Sequence, residues 1–140
     1  MHVFVTGATG WVGSRVVDEL LRRGHSVLGL ARSDASAAAL EAKGVAVQRG
    51  GIEDLESLKA GVTQCDATIH TAFIHDFSDY VGSLGKDLVA TKAMIDALKG
   101  TGKVRHPDSL LAYRPLMPAA DLYQHFWNCC DQVGHSRSRG

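Results

Sequence analysis

Three glycines at three-residue intervals, Gly7, Gly10 and Gly13, mark the junction between a β-branched run and an amphipathic one. No other feature restricts the fold of this chain so strongly. Before them, Val3-Phe4-Val5-Thr6 has the residue types and length of a short buried strand. After them, Val12, Val16, Val17, Leu20 and Leu21 recur at helical spacing from Trp11 to Arg23, and Gly24 is a natural stop. In Thr6-Gly7-Ala8-Thr9-Gly10-Trp11-Val12-Gly13 the strand passes straight into the helix. Gly7 allows the tight turn out of the strand, and Gly13 lets the helix lie close to the sheet.

The alternation continues. Val27-Leu28-Gly29-Leu30-Ala31 reads as a second buried strand, and Ala35 to Lys43 as a helix with Ser33 or Asp34 capping its start and Gly44 its end. Val45-Ala46-Val47 reads as a third strand, Leu55 to Ala60 as a brief helix, and Ala67-Thr68-Ile69-His70 as a fourth strand. A longer helix follows with Val81, Leu84, Leu88, Thr91, Ile95 and Leu98 on one stripe, ending at Gly100. Strands alternating with helices imply right-handed crossovers and a parallel sheet, so the fold class is α/β.

Composition changes near residue 100. The first hundred residues hold ten Lys/Arg, twelve Asp/Glu and no proline, whereas the last forty hold all three prolines and two of the three cysteines. The expected organisation is a folded domain over 1–103 and an irregular or partly helical tail over 104–140. Fifteen basic residues balance fifteen acidic ones, so no global field attracts nucleic acid or an anionic membrane. An odd cysteine count argues for a reducing compartment. No apolar run approaches the roughly 20 residues needed to span a bilayer, and the start lacks the basic region of a signal peptide. A cytoplasmic location is expected.

Gly10 removes the Cβ that would keep backbone away from a pyrophosphate. The free N–H groups of Trp11 and Val12 would then face phosphate oxygens with the helix dipole behind them. The competing reading is a structural turn that binds nothing. TGATGWVG resembles the TGxxGxxG motif of extended and atypical short-chain dehydrogenase/reductases, the NAD-dependent epimerase/dehydratase group. The likeness continues through Gly29-Leu30-Ala31-Arg32-Ser33 and Ile69-His70-Thr71-Ala72-Phe73, over about residues 1 to 103. It implies a Rossmann-type sheet of order 3-2-1-4 with flanking helices, binding NAD(H) or NADP(H) for redox or epimerase chemistry on small molecules. Cofactor contacts would come from Thr6, Gly7, Gly10, Trp11, Val12, Gly13, Arg32, Ser33, Ile52, Thr71, Ala72 and Phe73.

After the second strand, a carboxylate suits the ribose 2′-hydroxyl and a guanidinium suits a 2′-phosphate. Arg32 and Ser33 stand there, with Asp34 one step later. NADP(H) is favoured over NAD(H). The rival is a solvated arginine with Ser33 merely capping the next helix. Two positions depart from the family pattern. Gly51 stands where an adenine-contacting aspartate is usual, and Asp87 where many relatives carry asparagine.

Reductases of the family use a tyrosine and a lysine four residues later, the lysine lowering the phenol's pKa. Here Tyr80, Tyr113 and Tyr123 are followed at that distance by Leu84, Met117 and Trp127, so no Tyr-x-x-x-Lys exists. The fifth strand should begin near Lys103. Val104-Arg105-His106-Pro107-Asp108-Ser109 cannot sit in a central strand, because of its proline and charges. The expectation is an NAD(P)-binding module, truncated or frame-shifted, inactive alone and with no substrate indicated. The alternatives are a non-catalytic NADP(H)-sensing or protein-interaction module and, last, a small reductase using His70 or His75. A zinc site from His125, Cys129, Cys130 and His135 is disfavoured by the adjacent cysteines. Without a fifth strand the fourth exposes an edge, which favours self-association unless Leu110 to Tyr113 or Leu122, Tyr123, Phe126 and Trp127 cover it.

Overall fold

The structure is a computed structural model and describes residues 1–72 and 78–99. Four parallel strands form one sheet: β1 (His2–Thr6), β2 (Ser26–Ala31), β3 (Ala46–Arg49) and β4 (Ala67–His70). Their order is β3-β2-β1-β4, as the glycine loop implied. The connecting helices are α1 (Trp11–Arg22), α2 (Asp34–Glu41) and α3 (Leu55–Gln64), and α4 (Tyr80–Leu98) follows β4. Among the described residues no helix is long and apolar enough to cross a membrane.

Side chains of β1 and β2 alternate between two cores. Val3 and Val5 of β1, with Val27 and Ala31 of β2, pack against Val16, Val17 and Leu20 of α1 and Ala37 and Leu40 of α2. Phe4, Leu28 and Leu30 point the other way, onto Leu58 and Val62 of α3 and Ala90 and Met94 of α4. This sheet, buried on both faces, explains the continuous apolar runs of its central strands. Phe4 is fully buried, and burial of such a side chain stabilises by about 1.5–3 kcal/mol.

Four expectations need correction. α2 runs from Asp34 to Glu41 where Ala35 to Lys43 was expected, since Ser33 takes the cap and Ala42 ends the helix. α3 runs to Gln64 rather than stopping at Ala60, because Leu58, Gly61 and Val62 continue its buried face. β3 starts at Ala46 and ends at Arg49, one residue later and two residues further than expected. The larger correction concerns α4. Its inward face carries Ser83, Ala90 and Met94, whereas Val81, Leu84, Leu88 and Ile95 of the expected core stripe are exposed. Val81 is 80% exposed and Leu88 68%. Phe73, His75 and the whole tail 104–140 lie outside the described residues.

Candidate functional site

The carboxyl ends of parallel strands are where an α/β sheet offers a crevice, at the point where chain connections diverge. Here β1 pairs with β2 on one side and β4 on the other, so the divergence lies between β1 and β4. The glycine loop follows β1 at that point.

Gly7 has φ +66°, and its carbonyl accepts from the Gly10 N–H at 2.9 Å. A Cβ on Gly13 would stand 2.0 Å from the Gly7 carbonyl oxygen, and one on Gly7 would stand 2.6 Å from the Ala72 nitrogen. The chain's own backbone therefore demands both glycines. Gly10 differs. Its φ of −71° and ψ of 172° are open to any residue, it is exposed, and a Cβ there would meet only the Gly7 oxygen, at 3.1 Å. Gly10 also opens α1, which has no side-chain cap and no acidic residue in its first turn. The other three helices are capped by Ser33, Asp54 and Asp79. The orphan N–H groups of the first turn of α1 thus have no side-chain cap. Trp11 is 67% exposed. The Arg15 guanidinium lies 4.5 Å from its ring centroid and donates to the Trp11 carbonyl at 2.9 Å.

Thr6 and the end of β4 lock together beneath this loop. The Thr6 carbonyl accepts from the Thr71 N–H at 3.2 Å and the Thr71 hydroxyl at 2.7 Å. The Thr6 hydroxyl accepts from the Ala72 N–H at 3.3 Å and lies 2.5 Å from His70 Nδ1. His70 Nε2 in turn stands 3.0 Å from Asp87 Oδ1 on α4. Nε2 thus faces a carboxylate oxygen and Nδ1 a hydroxyl that can donate or accept. Every polar atom of the buried imidazole is satisfied. His70 closes β4, as expected of the fourth strand.

At the end of β2, Ser33 caps α2. Its hydroxyl accepts from the Ser36 N–H at 3.2 Å, and the Ser36 hydroxyl accepts from the Ser33 N–H at 3.1 Å. Arg32 is exposed, and a Cβ on Gly51 would find only the Arg32 Cβ within reach, at 4.0 Å. Ile52 is half-buried against the Phe4 core. The fold brings Thr6, Gly7, Gly13, Thr71 and Ala72 into one contact set, with Arg32 and Ser33 at the end of the neighbouring strand. Sequence reasoning missed Arg15, Arg49 and the contact of Asp87 with His70. A groove of about 400 Å³ between α2 and β3, lined by Asp34, Ala37, Ala38, Glu41, Val47 and Arg49, lies away from the glycine loop. Among the described residues no three His, Cys, Asp or Glu side chains group as a metal site.

A family model described as NAD(P)H-binding matches residues 7–106. The chain belongs to this NAD(P)H-binding family. An uncharacterised protein of Schizosaccharomyces pombe is 50% identical over 101 residues, covering 72% of this chain and 34% of that protein. An uncharacterised protein of Saccharomyces cerevisiae is 44% identical over 118 residues, covering 82% of this chain and 40% of that protein. Among solved structures, yeast methylglyoxal/isovaleraldehyde reductase complexed with NADPH is similar at 28% identity and a TM-score of 0.58, over 70% of this chain and 32% of that one. Other neighbours are short-chain dehydrogenase/reductases and sugar-nucleotide epimerases. The expected kinship therefore stands over the N-terminal part of the chain. The chain spans between a third and two fifths of the two curated relatives.

Proposed function

We propose that this member of the NAD(P)H-binding family holds NADP(H) across the glycine loop, as the cofactor-binding portion of a reductase- or epimerase-type enzyme. One observation carries the reading. Gly10 is the loop glycine that the fold itself does not require, and it stands over the uncapped first turn of α1. A pyrophosphate supplies a reason for both, since it needs close backbone approach and unpaired N–H donors. In this reading the N–H groups of Trp11, Val12 and Gly13 hold the pyrophosphate. Thr6 and Gly7 shape the turn beneath it, and Arg32 takes the 2′-phosphate with help from Ser33. Ile52 borders the adenine, and Thr71, Ala72 and Phe73 border the nicotinamide. When bound, the nicotinamide supplies hydride donation or acceptance. No Tyr-x-x-x-Lys occurs in these 140 residues, so this reading assigns them cofactor binding and names no acid–base pair. Solved neighbours in complex with NADPH and with NAD support a nicotinamide dinucleotide here, and the choice of NADP(H) rests on Arg32.

The test is calorimetry of NADPH and NADH on the full chain and on Arg32→Ala. Loss of a charge-assisted pair weakens NADPH by about 1.5–3 kcal/mol, with NADH little changed. Equal losses for both cofactors would remove Arg32 from the site.

A second reading, self-association or protein contact, is favoured by the exposed apolar side chains of α4. On the sheet, β4 pairs only with β1 among the described residues, and no described strand lies on its other edge.

A further inference from the structure

The carboxyl ends of β2 and β3 lie side by side, Ala31 in register with Arg49, and bring two arginines to one corner. Arg32, just after β2, is exposed and makes no hydrogen bond or ion pair among the described residues. Arg49 is engaged. Its Nη1 donates to the Ser33 carbonyl at 2.9 Å, and its Nη2 donates to the Asp34 carboxylate. Gly51 leaves the space beside Arg32 open. Two guanidinium groups thus stand at this corner, and Asp34, the carboxylate nearest in sequence to Arg32, is engaged by Arg49.

We propose that Arg49 is a specificity-determining residue for NADP(H), acting by restraining Asp34. The inference rests on the NADP(H) reading above. Asp34 lies three residues beyond the last residue of β2, near the strand end where a carboxylate accepts from the ribose hydroxyls of NAD(H). Released, it would pair with Arg32 or repel a dianionic 2′-phosphate, and either outcome favours the cofactor without that phosphate. Held by Arg49, it does neither, and Arg32 stays available for bidentate pairing. The anchor on the Ser33 carbonyl fixes where Arg49 sits, so the restraint does not depend on an exposed ion pair alone. One acidic residue thus takes its cofactor meaning from the end of the adjacent strand.

The experiment is a two-by-two set of variants of the full chain: unaltered, Arg49→Gln, Asp34→Asn and the double variant. Dissociation constants for NADPH and NADH are measured by calorimetry at low ionic strength, with Arg32→Ala alongside. All three positions are exposed, and melting curves confirm folding. Arg49→Gln should weaken NADPH about three- to tenfold, the scale of one exposed charge pair, and leave NADH unchanged or tighter. The double variant should regain most of the NADPH affinity, because no carboxylate remains to be restrained. Equal effects on both cofactors, no effect of Arg49→Gln, or a double variant as weak as Arg49→Gln would overturn the proposal. If Arg32→Ala removes the NADPH preference while Arg49→Gln leaves it intact, this inference falls and the NADP(H) reading survives. If the unaltered chain binds both cofactors equally, the NADP(H) reading itself falls.

Discussion

Thr6 and His70 stand 64 positions apart in the chain, and the Thr6 hydroxyl lies 2.5 Å from the His70 ring. That contact ties the strand before the glycine loop to the strand beside it, and Asp87 extends the tie to α4. The turn at Thr71 and Ala72, which presses on Gly7, hangs from the same hydroxyl and carbonyl. The floor of the candidate site is therefore held by buried hydrogen bonds as well as by apolar packing.

Thr6→Val keeps the shape and removes the hydroxyl, leaving His70 Nδ1 and the Ala72 N–H without their partner. Such orphaning costs about 1–3 kcal/mol, and each kcal/mol lowers the melting temperature of a domain this size by roughly 4–8 °C. Asp87→Leu should fall in the same range. Asp87→Asn should cost less, because the side-chain amide can still pair with Nε2. Thermal unfolding checks all three, and an Asp87→Leu variant that melts with the unaltered chain would show that the tie holds nothing.

The two faces of α4 predict opposite outcomes. Leu88→Gln on the exposed stripe should change stability by no more than about 0.5 kcal/mol and reduce self-association in light scattering. Met94→Ala, on the buried face, should cost about 2–5 kcal/mol. Deleting residues 104–140 should lower stability or solubility. A deletion variant that stays monomeric with an unchanged melting temperature would show that the tail covers none of this surface.

The purified chain should show no steady NADPH consumption on panels of carbonyl substrates, nor NADP reduction on alcohols. A positioned general acid–base contributes about a hundred- to ten-thousand-fold, and no Tyr-x-x-x-Lys occurs in the sequence. Sustained turnover would place the chemistry on residues of this chain.

Sequence periodicity revealed the sheet and the loop because valine runs and glycines punctuate them with little ambiguity. Gly7 and Gly13 were legible as geometric necessities. The inward face of α4 was not, because Val81, Leu84, Leu88 and Ile95 outweigh Ser83, Ala90 and Met94 in hydrophobicity. Ser83 and Ala90 are small, and Met94 alone fills the space against Leu58 and Val62 of α3, so the buried face carries the lower apolar count. The second half of α3 was hidden by Gly61, Thr63 and Gln64. The Thr6–His70–Asp87 chain and the hold of Arg49 on Asp34 join residues far apart in sequence, which no local pattern encodes.

The most direct test of the central claim is a titration of NADPH into the unaltered chain and into Gly10→Ala. The new methyl stands 3.1 Å from the Gly7 carbonyl oxygen, which must give by a few tenths of an ångström, and the changed helix cap adds a loss of up to about 1 kcal/mol; melting curves confirm that the variant is folded. The account predicts saturable binding of one dinucleotide per unaltered chain. In Gly10→Ala it predicts an affinity at least about tenfold weaker, the loss of roughly 1.4 kcal/mol. Equal affinity in the two folded proteins, or no saturable binding by the unaltered chain, would contradict it.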